Sequence, residues 1–273
     1  MSSFLERLAS RVERVGAPVC IGLDPHRSRI GGGAVDPDPA TRAEAVEAFA
    51  RDALEAMAPY AAIVKPQAAF FEALGPRGAG VLHRTVAHAH QLGLLVLLDV
   101  KRGDIGSTAE AYAEALFDHP PGDADAVTLS PYLGPESLEP FVERTKADRG
   151  CFVLVRTSNP GAAPWQSVTG VAEAVADWVA QQPPSVGVVI GATLSVPEQV
   201  AWRARLPGRW ILAPGFGAQG GTFDALRALG PQVLPTSSRG VLYGAGPESE
   251  VTRRAAIASR AEAFREAVVT ALQ

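Results

Sequence analysis

Eight short apolar runs that alternate with amphipathic stretches constrain the fold of this chain more than any other feature of its sequence. The runs occupy residues 19–23, 62–65, 94–100, 126–130, 151–156, 186–190, 210–213 and 233–237. Amphipathic stretches lie at residues 40–57, 80–91, 108–117, 136–146, 170–181, 197–205, 223–229 and 248–272. Runs that are apolar throughout are typical of strands buried on both faces of a parallel sheet. Eight such repeats predict a (β/α)8 TIM barrel, with an open doubly wound sheet as the alternative.

The length of 273 residues predicts a single domain spanning 1–273, since a closed α/β barrel takes roughly 250 residues. The chain has 25 basic and 29 acidic side chains, so a net charge of −4 offers no basic field for nucleic acid or an anionic membrane surface. No apolar run approaches the ~20 residues that span a bilayer. Cys20 and Cys151 lie inside apolar runs and are expected to be reduced and buried. These features predict a soluble cytoplasmic protein.

The third apolar run leads directly into the charged residues Asp99, Lys101 and Asp104. Residues two apart on a strand share a face, so Asp99 and Lys101 should point together into the mouth of the barrel, where barrel enzymes hold their active sites. A lysine flanked by carboxylates stays protonated, which suits proton donation to a carbanion better than Schiff-base formation. A carboxylate beside an anionic substrate also disfavours the ground state unless the transition state loses that charge, as loss of CO2 does.

The same residues could instead form a solvated helix start, with Ser107 as N-cap and Glu110 completing a capping box. Polar residues at the ends of other runs favour a functional site, because the strand ends of a barrel converge on one rim. The set comprises Asp24, Lys65, Gln67, Ser130, Thr157, Ser158, Asn159, Gln219, Ser238 and Arg239.

The glycine-rich segment after the seventh run indicates a phosphate site. Gly215, Gly217 and Gly220 match G-x-G-x-x-G, but the motif follows the seventh strand rather than opening a βαβ unit, so a dinucleotide fold is not predicted. Bare backbone N–H groups, Gln219 and Arg239 could instead hold a substrate phosphate at the loops of strands seven and eight. Two simple glycine-rich turns are the alternative.

The histidines do not predict a metal site. His83 and His90 share a face of one predicted helix, but no carboxylate is expected to join them.

Several motifs along the chain agree with one family. The spacing Asp-x-Lys-x-x-Asp-Ile-x-x-Thr is present as Asp99, Lys101, Asp104, Ile105 and Thr108. Other segments are GLDP at 22–25, VKPQ at 64–67, TSNPGA at 157–162, PGFGAQGG at 214–221 and SSRG at 237–240. Together they resemble the orotidine 5′-phosphate decarboxylase family, in particular its longer bacterial group 2 branch.

The resemblance implies decarboxylation of orotidine 5′-phosphate to UMP, the last step of de novo UMP synthesis, without a metal or organic cofactor. Lys101 would protonate C6 of the carbanion that departing CO2 leaves, and Asp99 would face the substrate carboxylate. The remaining assignments are ribose binding by Lys65 and Asp24, pyrimidine binding by Ser158, phosphate binding by Gln219 and Arg239, and further substrate contacts from Gly217 and Ser130. Asp104 and Thr108 would reach across a homodimer into the site of the other subunit.

Two alternatives remain open. Sugar-phosphate lyases of the same superfamily share Asp-x-Lys-x-x-Asp but use Mg²⁺, and as a rule they lack the following Ile-x-x-Thr. A catalytically silent nucleotide-binding barrel would keep Gln219 and Arg239 but should have lost a member of the charged set.

Overall fold

A closed barrel of parallel strands forms the centre of the protein, for which a computed structural model describes residues 2–120, 122–216, 220–244 and 250–273. Each strand pairs with the next, and the first pairs with the last. In the described residues these are β1 (Cys20–Leu23), β2 (Ile63–Pro66), β3 (Leu95–Arg102), β4 (Ala126–Leu129), β5 (Gly150–Arg156), β6 (Val186–Ile190), β7 (Ile211–Pro214) and β8 (Val233–Ser237). The predicted (β/α)8 TIM barrel is confirmed.

Helices surround the barrel and connect its strands. They are α1 (Phe4–Val15), α2 (Arg27–Ile30), α3 (Pro39–Met57), α4 (Ala68–Glu72), α5 (Gly78–Gln91), α6 (Gly106–Phe117), α7 (Glu139–Thr145), α8 (Ala163–Gln166), α9 (Val171–Ala180), α10 (Val196–Arg205), α11 (Phe223–Leu229), α12 (Arg239–Leu242) and α13 (Glu250–Leu272). The predicted amphipathic stretches correspond to α3, α5, α6, α7, α9, α10, α11 and α13. No helix within the described ranges is both long and apolar enough to cross a membrane.

The apolar core has two layers, as a closed barrel requires. The larger layer fills the space between the strands and the outer helices. The smaller layer fills the barrel interior, and its members are Phe4, Leu8, Cys20, Ile63, Leu95, Leu97, Ala126, Phe152, Val189, Leu212 and Leu234. Because side chains occupy the interior, the chemistry has to take place at the rim.

Helix α1 closes the amino-terminal end of the barrel, and the sequence analysis did not predict it. Phe4 and Leu8 are fully buried, and the ring of Phe4 meets that of Phe152 edge-on at 6.4 Å. A Cβ at Gly150 would lie 2.6 Å from the Phe4 ring, so only glycine fits there. Ser3 caps the helix in a capping box with Glu6.

A buried carboxylate ties α1 to the barrel. Asp125 accepts hydrogen bonds from Arg7 of α1 and from the backbone N–H of Val96, and it lies 2.9 Å from Nε2 of His90 in α5. No carboxylate was expected to join the pair of His83 and His90, and the structure places Asp125 against His90. Asp125 directly precedes β4 and His90 lies in α5, so the fold brings together two residues that are distant in the sequence.

The start of α6 also differs from one of the two interpretations of the charged segment. Ile105 occupies the N-cap position without a side-chain cap, and Glu110 pairs with Arg144 instead of closing a capping box. Strand β3 continues to Arg102, two residues beyond its predicted end. Asp99 and Lys101 thus belong to the strand itself.

Candidate active site

A cavity of about 310 Å³ opens at the carboxyl ends of the barrel strands. The described polar side chains that line it come from the ends of β1 to β5 and of β8, and they are Asp24, Lys65, Gln67, Asp99, Lys101, Thr128, Thr157, Ser158, Asn159, Thr236, Ser238 and Arg239. The volume lies in the range of small-molecule sites. The structure therefore brings together six residues to which the resemblance gives a role, namely Asp24, Lys65, Asp99, Lys101, Ser158 and Arg239. Four further residues of the predicted strand-end set also line the cavity, namely Gln67, Thr157, Asn159 and Ser238.

Asp99 is the centre of a hydrogen-bond network at the base of this cavity. Its Oδ2 accepts from Lys65 Nζ at 2.8 Å and from Gln67 Nε2 at 3.0 Å. Its Oδ1 accepts from Lys101 Nζ at 2.5 Å and from the Thr128 hydroxyl at 2.9 Å. Four donors therefore surround one buried carboxylate, and two of them carry a positive charge.

The network fixes the charges of its members. Burial alone would raise the pKa of Asp99, but the charges of Lys65 and Lys101 and their hydrogen bonds outweigh it and hold that pKa far below its ordinary value. Burial would likewise lower the pKa of Lys65, yet the nearby Asp99 and Asp24 carboxylates raise it above the ordinary value. Asp99 is therefore an anion and Lys65 a cation at neutral pH.

Lys101 differs from Lys65 in that its side chain reaches the open cavity. The Lys101 side chain is 46% exposed, whereas that of Lys65 is 6% exposed. Lys101 has a backbone φ of 46°, in the left-handed region, and this turn brings its ammonium back onto Asp99. Lys101 is thus the cation that a molecule in the cavity can reach.

Asp24 contributes an acceptor that the described residues do not satisfy. Its Oδ1 is buried and makes no hydrogen bond with any part of the chain that the structure describes. Its backbone carbonyl accepts from the Tyr243 hydroxyl at 2.7 Å, which fixes the end of β1. A buried carboxylate oxygen without a partner carries a desolvation cost that a hydroxyl-bearing ligand would relieve.

Two further segments border the cavity on the opposite side. Ser158 packs against Gly191, where a Cβ would lie 2.7 Å from the Ser158 side chain. Arg239 begins α12, separated from β8 by Ser238, and it is exposed. The predicted phosphate-site residues Gly217 and Gln219 lie outside the described residues.

Comparison with known proteins identifies the family. The family model described as "Orotidine 5'-phosphate decarboxylase / HUMPS family" matches residues 17–250, which is most of the chain. The chain belongs to this family.

Curated relatives and solved structures agree with the assignment to the orotidine 5′-phosphate decarboxylase family. The chain is 42% identical to an orotidine 5′-phosphate decarboxylase of Rhodopirellula baltica over 89% of either chain. It is 44% identical to one of Salinispora tropica, over 94% of this chain and 95% of that one. The structure of Leishmania donovani OMP decarboxylase has a TM-score of 0.77 and 34% identity, covering 97% of this chain and 100% of that chain. A Streptomyces avermitilis structure provisionally assigned to the same activity has a TM-score of 0.84 and 38% identity, covering 100% and 96% respectively.

Three predicted site residues of this family member lie outside the cavity lining. Asp104 bonds with the N–H of Ile105 on the turn after β3, and Thr108 is exposed on the first turn of α6. Ser130 follows β4, where its N–H donates to the carbonyl of Arg102. None of the three is among the described lining residues.

Thr128 and Gln67 both bind Asp99, although Thr128 is not among the predicted site residues and Gln67 has no predicted role. Thr128 lies inside a run that was interpreted as apolar. The signal was its position, because Thr128 lies two residues before Ser130 in the predicted run, and residues two apart on a strand share a face.

Proposed function

We infer that this chain decarboxylates orotidine 5′-phosphate to UMP, the last step of de novo UMP synthesis. The observation that carries the inference is the Asp99 carboxylate held between Lys65 and Lys101 at the base of a nucleotide-sized cavity. The family match and the named activity of its relatives support it.

Asp99 and Lys101 divide the proposed reaction between them. With the pyrimidine bound, the ionised Asp99 lies beside the substrate carboxylate, and the repulsion between these anions disappears as CO2 leaves. The bond from C6 to the carboxylate carbon breaks, and its electron pair stays on C6. Lys101 donates a proton from Nζ to C6, which gives UMP, and a proton from solvent restores the ammonium.

The remaining residues of the cavity hold the nucleotide. Asp24 and Lys65 bind the ribose hydroxyls, which gives the unpartnered Asp24 oxygen a donor. Ser158 hydrogen-bonds the pyrimidine. Arg239 binds the 5′-phosphate together with Gln219 and the backbone of Gly217. Ser130 stays a predicted substrate contact.

The proposed reaction uses neither a metal nor an organic cofactor. An ionised carboxylate has about four acceptor positions, and Asp99 already receives four hydrogen bonds. A divalent cation at this carboxylate would have to displace one of these donors. The chain's own lysines thus supply the positive charge that a metal supplies elsewhere.

We further propose a homodimer in which Asp104 and Thr108 of each subunit complete the other subunit's site. Neither residue is part of the cavity's described lining. Next to them, Ile105 is 58% exposed and Tyr112 is 38% exposed, so this part of the surface is open to a second copy of the chain. The proposed location is the cytoplasm, where buried free thiols such as Cys20 stay reduced.

The first test is the loss of orotidine 5′-phosphate absorbance with purified protein in the presence of EDTA. Turnover that EDTA does not change supports a metal-free decarboxylase. Turnover of a sugar phosphate that requires Mg²⁺, with none of orotidine 5′-phosphate, would instead make the chain a lyase of the same family. A folded protein that binds UMP and turns over neither substrate would be a silent nucleotide-binding barrel.

A further inference from the structure

The register between strands β3 and β4 shifts where the charged network begins. Leu98 lies beside Val127 and Arg102 lies beside Leu129, so three residues of β3 face one residue of β4. That single residue is Thr128, which is 1% exposed. Ladder hydrogen bonds cannot serve three residues across such a bulge, so the extra backbone groups of β3 need other partners.

The hydroxyl of Thr128 provides that partner. Its oxygen accepts from the backbone N–H of Val100 and from that of Lys101, both at 3.0 Å. Its proton is donated to Oδ1 of Asp99 at 2.9 Å. A hydroxyl has one proton and two lone pairs, so these three bonds use its full capacity. One side-chain atom thereby joins the backbone of Lys101 to the carboxylate that pairs with the Lys101 ammonium.

The backbone of Lys101 needs such support. Its φ of 46° lies in a region that residues with a side chain rarely adopt, and such conformations persist only where surrounding contacts hold them. The Thr128 hydroxyl accepts a hydrogen bond from the backbone N–H of Lys101 itself. Without it, Lys101 could relax toward ordinary strand geometry, and its ammonium would leave the position 2.5 Å from Asp99.

We propose that Thr128 is a positioning residue for proton donation, holding the Lys101 ammonium and the Asp99 carboxylate in one fixed geometry. The proposal rests on the proposed function, in which Lys101 delivers the proton to C6. The hydroxyl of Thr128 makes hydrogen bonds to the backbone of the proton donor, Lys101, and to its carboxylate partner, Asp99. Removal of the hydroxyl should therefore slow the chemical step far more than it weakens nucleotide binding.

The kinetic test compares Thr128→Val, which keeps the shape without the hydroxyl, with Thr128→Ser, which keeps the hydroxyl. Thr128→Val should lower kcat about 10- to 100-fold, because misplacement of a reacting group by about 1 Å has effects of this size. KM for orotidine 5′-phosphate and Kd for UMP should stay within about threefold, a difference below 1 kcal/mol. Thr128→Ser should keep at least about one third of the wild-type kcat, which is likewise a difference below about 1 kcal/mol.

Thr85→Val is the matched control. Thr85 is 3% exposed, its hydroxyl donates to the Val81 carbonyl within α5, and it is not among the described residues that line the cavity. This variant should keep wild-type kcat and KM. A Thr128→Val enzyme with wild-type kcat would overturn the proposal. So would a rise in KM and in the Kd for UMP as large as the fall in kcat, since that pattern indicates general loosening of the site.

If Thr128→Val does not fold, Thr128→Cys replaces it, because a thiol is a weak donor and acceptor. A kcat of Thr128→Cys at least about tenfold below that of Thr128→Ser supports the proposal. This ratio corresponds to one lost hydrogen bond of about 1.4 kcal/mol. Equal kcat values for the two variants overturn the proposal.

Amide hydrogen exchange of the segment 95–104 tests the geometry without turnover. Loss of the hydroxyl should speed exchange at Val100 and Lys101 about tenfold, while Thr128→Ser and Thr85→Val leave it unchanged. Unchanged exchange in the valine variant would overturn the positioning role. A wild-type protein that fails to decarboxylate would contradict the proposed function alone, and the exchange pattern would then decide the role of Thr128.

Discussion

The charge of Lys101 is the property on which the proposed proton transfer depends. Its ammonium pairs with Asp99 and its side chain is nearly half exposed, so a cationic group is open to the cavity. Lys101→Ala should lower kcat by about 10²- to 10⁴-fold, the contribution that a positioned general acid makes. The absorbance loss of saturating orotidine 5′-phosphate measures this.

Lys146→Ala is the matched control, because Lys146 is 62% exposed and pairs with Glu143 on the surface of α7. It should keep the wild-type kcat. If Lys101→Ala also kept it, the proton would have to come from another group.

Arg239 is proposed to bind the substrate phosphate. Its removal should therefore weaken the binding of ligands that carry a phosphate and leave the binding of other ligands unchanged. Arg239→Ala should weaken UMP binding about 10- to 100-fold, because hydrogen bonds to charged groups contribute about 1.5–3 kcal/mol. Uridine, which lacks the phosphate, should bind as to the wild type. Calorimetric titration of both ligands measures the difference, with the exposed Arg227→Ala on α11 as control. Equal losses for UMP and uridine would remove Arg239 from the phosphate site.

Single residues of the site differ in how well the sequence predicts them. Asp99 and Lys101 could be predicted because a two-residue spacing after an apolar run specifies a shared face. The role of Thr128 could not, since it depends on a bulge that sets three residues of β3 against one of β4. A register shift of this kind is a property of two paired strands, and neither strand shows it in its own sequence.

At the scale of elements, α1 is the part of the fold whose stability contribution is the most direct to test. Phe4 is fully buried against Phe152 at the amino-terminal end of the barrel. Phe4→Ala should lower the free energy of unfolding by about 3–5 kcal/mol, as other buried Phe→Ala changes do. Urea unfolding followed by circular dichroism measures it.

The exposed Ser10→Ala on the same helix is the control and should change stability by less than about 0.5 kcal/mol. A Phe4→Ala protein as stable as this control would show that α1 does not hold the barrel closed.

The Asp125 contact between α1, α5 and β3 should make stability depend on pH. Burial alone would raise the pKa of Asp125, but the His90 hydrogen bond and charge, the Val96 amide and Arg7 hold it below its ordinary value. Folding therefore favours the ionised form. The resulting stability is fully present above the unfolded pKa of about 3.9 and is lost as the pH falls through the lower folded pKa.

Asp125→Asn should consequently cost about 1–3 kcal/mol of unfolding free energy at pH 7, the range for a buried hydrogen-bonding group that loses partners. The difference from the wild type should shrink below about pH 4. Urea unfolding at pH 7, 5 and 3.5 checks this, and a difference that grows between pH 5 and pH 3.5 would contradict the assignment.

The strands and helices of the eight-fold alternation could be predicted, and the single-turn helices and α1 could not. Strands such as β6 and helices such as α11 have the bounds that their apolar patterns indicate. The single-turn helices α2 and α12 lie in loops between strand and outer helix, where a few residues carry no periodicity. Helix α1 is amphipathic, but it precedes the first strand and so has no place in an eight-fold alternation.

The whole molecule explains why residues distant in the sequence act together. Lys65 and Asp99 are 34 positions apart, yet adjacent parallel strands bring their ends within hydrogen-bond distance. The order of strands in a barrel follows the chain, so this neighbourhood could be predicted from the sequence. A contact between two copies of the chain cannot be predicted in that way, because the surface that a second copy covers depends on its shape as well as on its sequence.

The shared-site proposal leads to a test with the whole dimer. Lys101→Ala and Asp104→Ala homodimers should each be inactive. In a hybrid dimer, one site combines both substitutions, and the other combines the intact Lys101 of one chain with the intact Asp104 of its partner. Random reassociation of equal amounts makes about half of the dimers hybrids, so about one quarter of the wild-type activity should return.

Size-exclusion chromatography of differently tagged chains confirms that hybrids form, and the absorbance assay measures the recovery. The control mixes Lys101→Ala with Lys65→Ala, because both lysines serve the same site within one subunit. Each hybrid site then lacks one of the two lysines, and no activity should return. Recovery in the first mixture and none in the second requires that Asp104 acts across the interface. If neither mixture recovered activity although hybrids had formed, Asp104 would belong to the site of its own subunit.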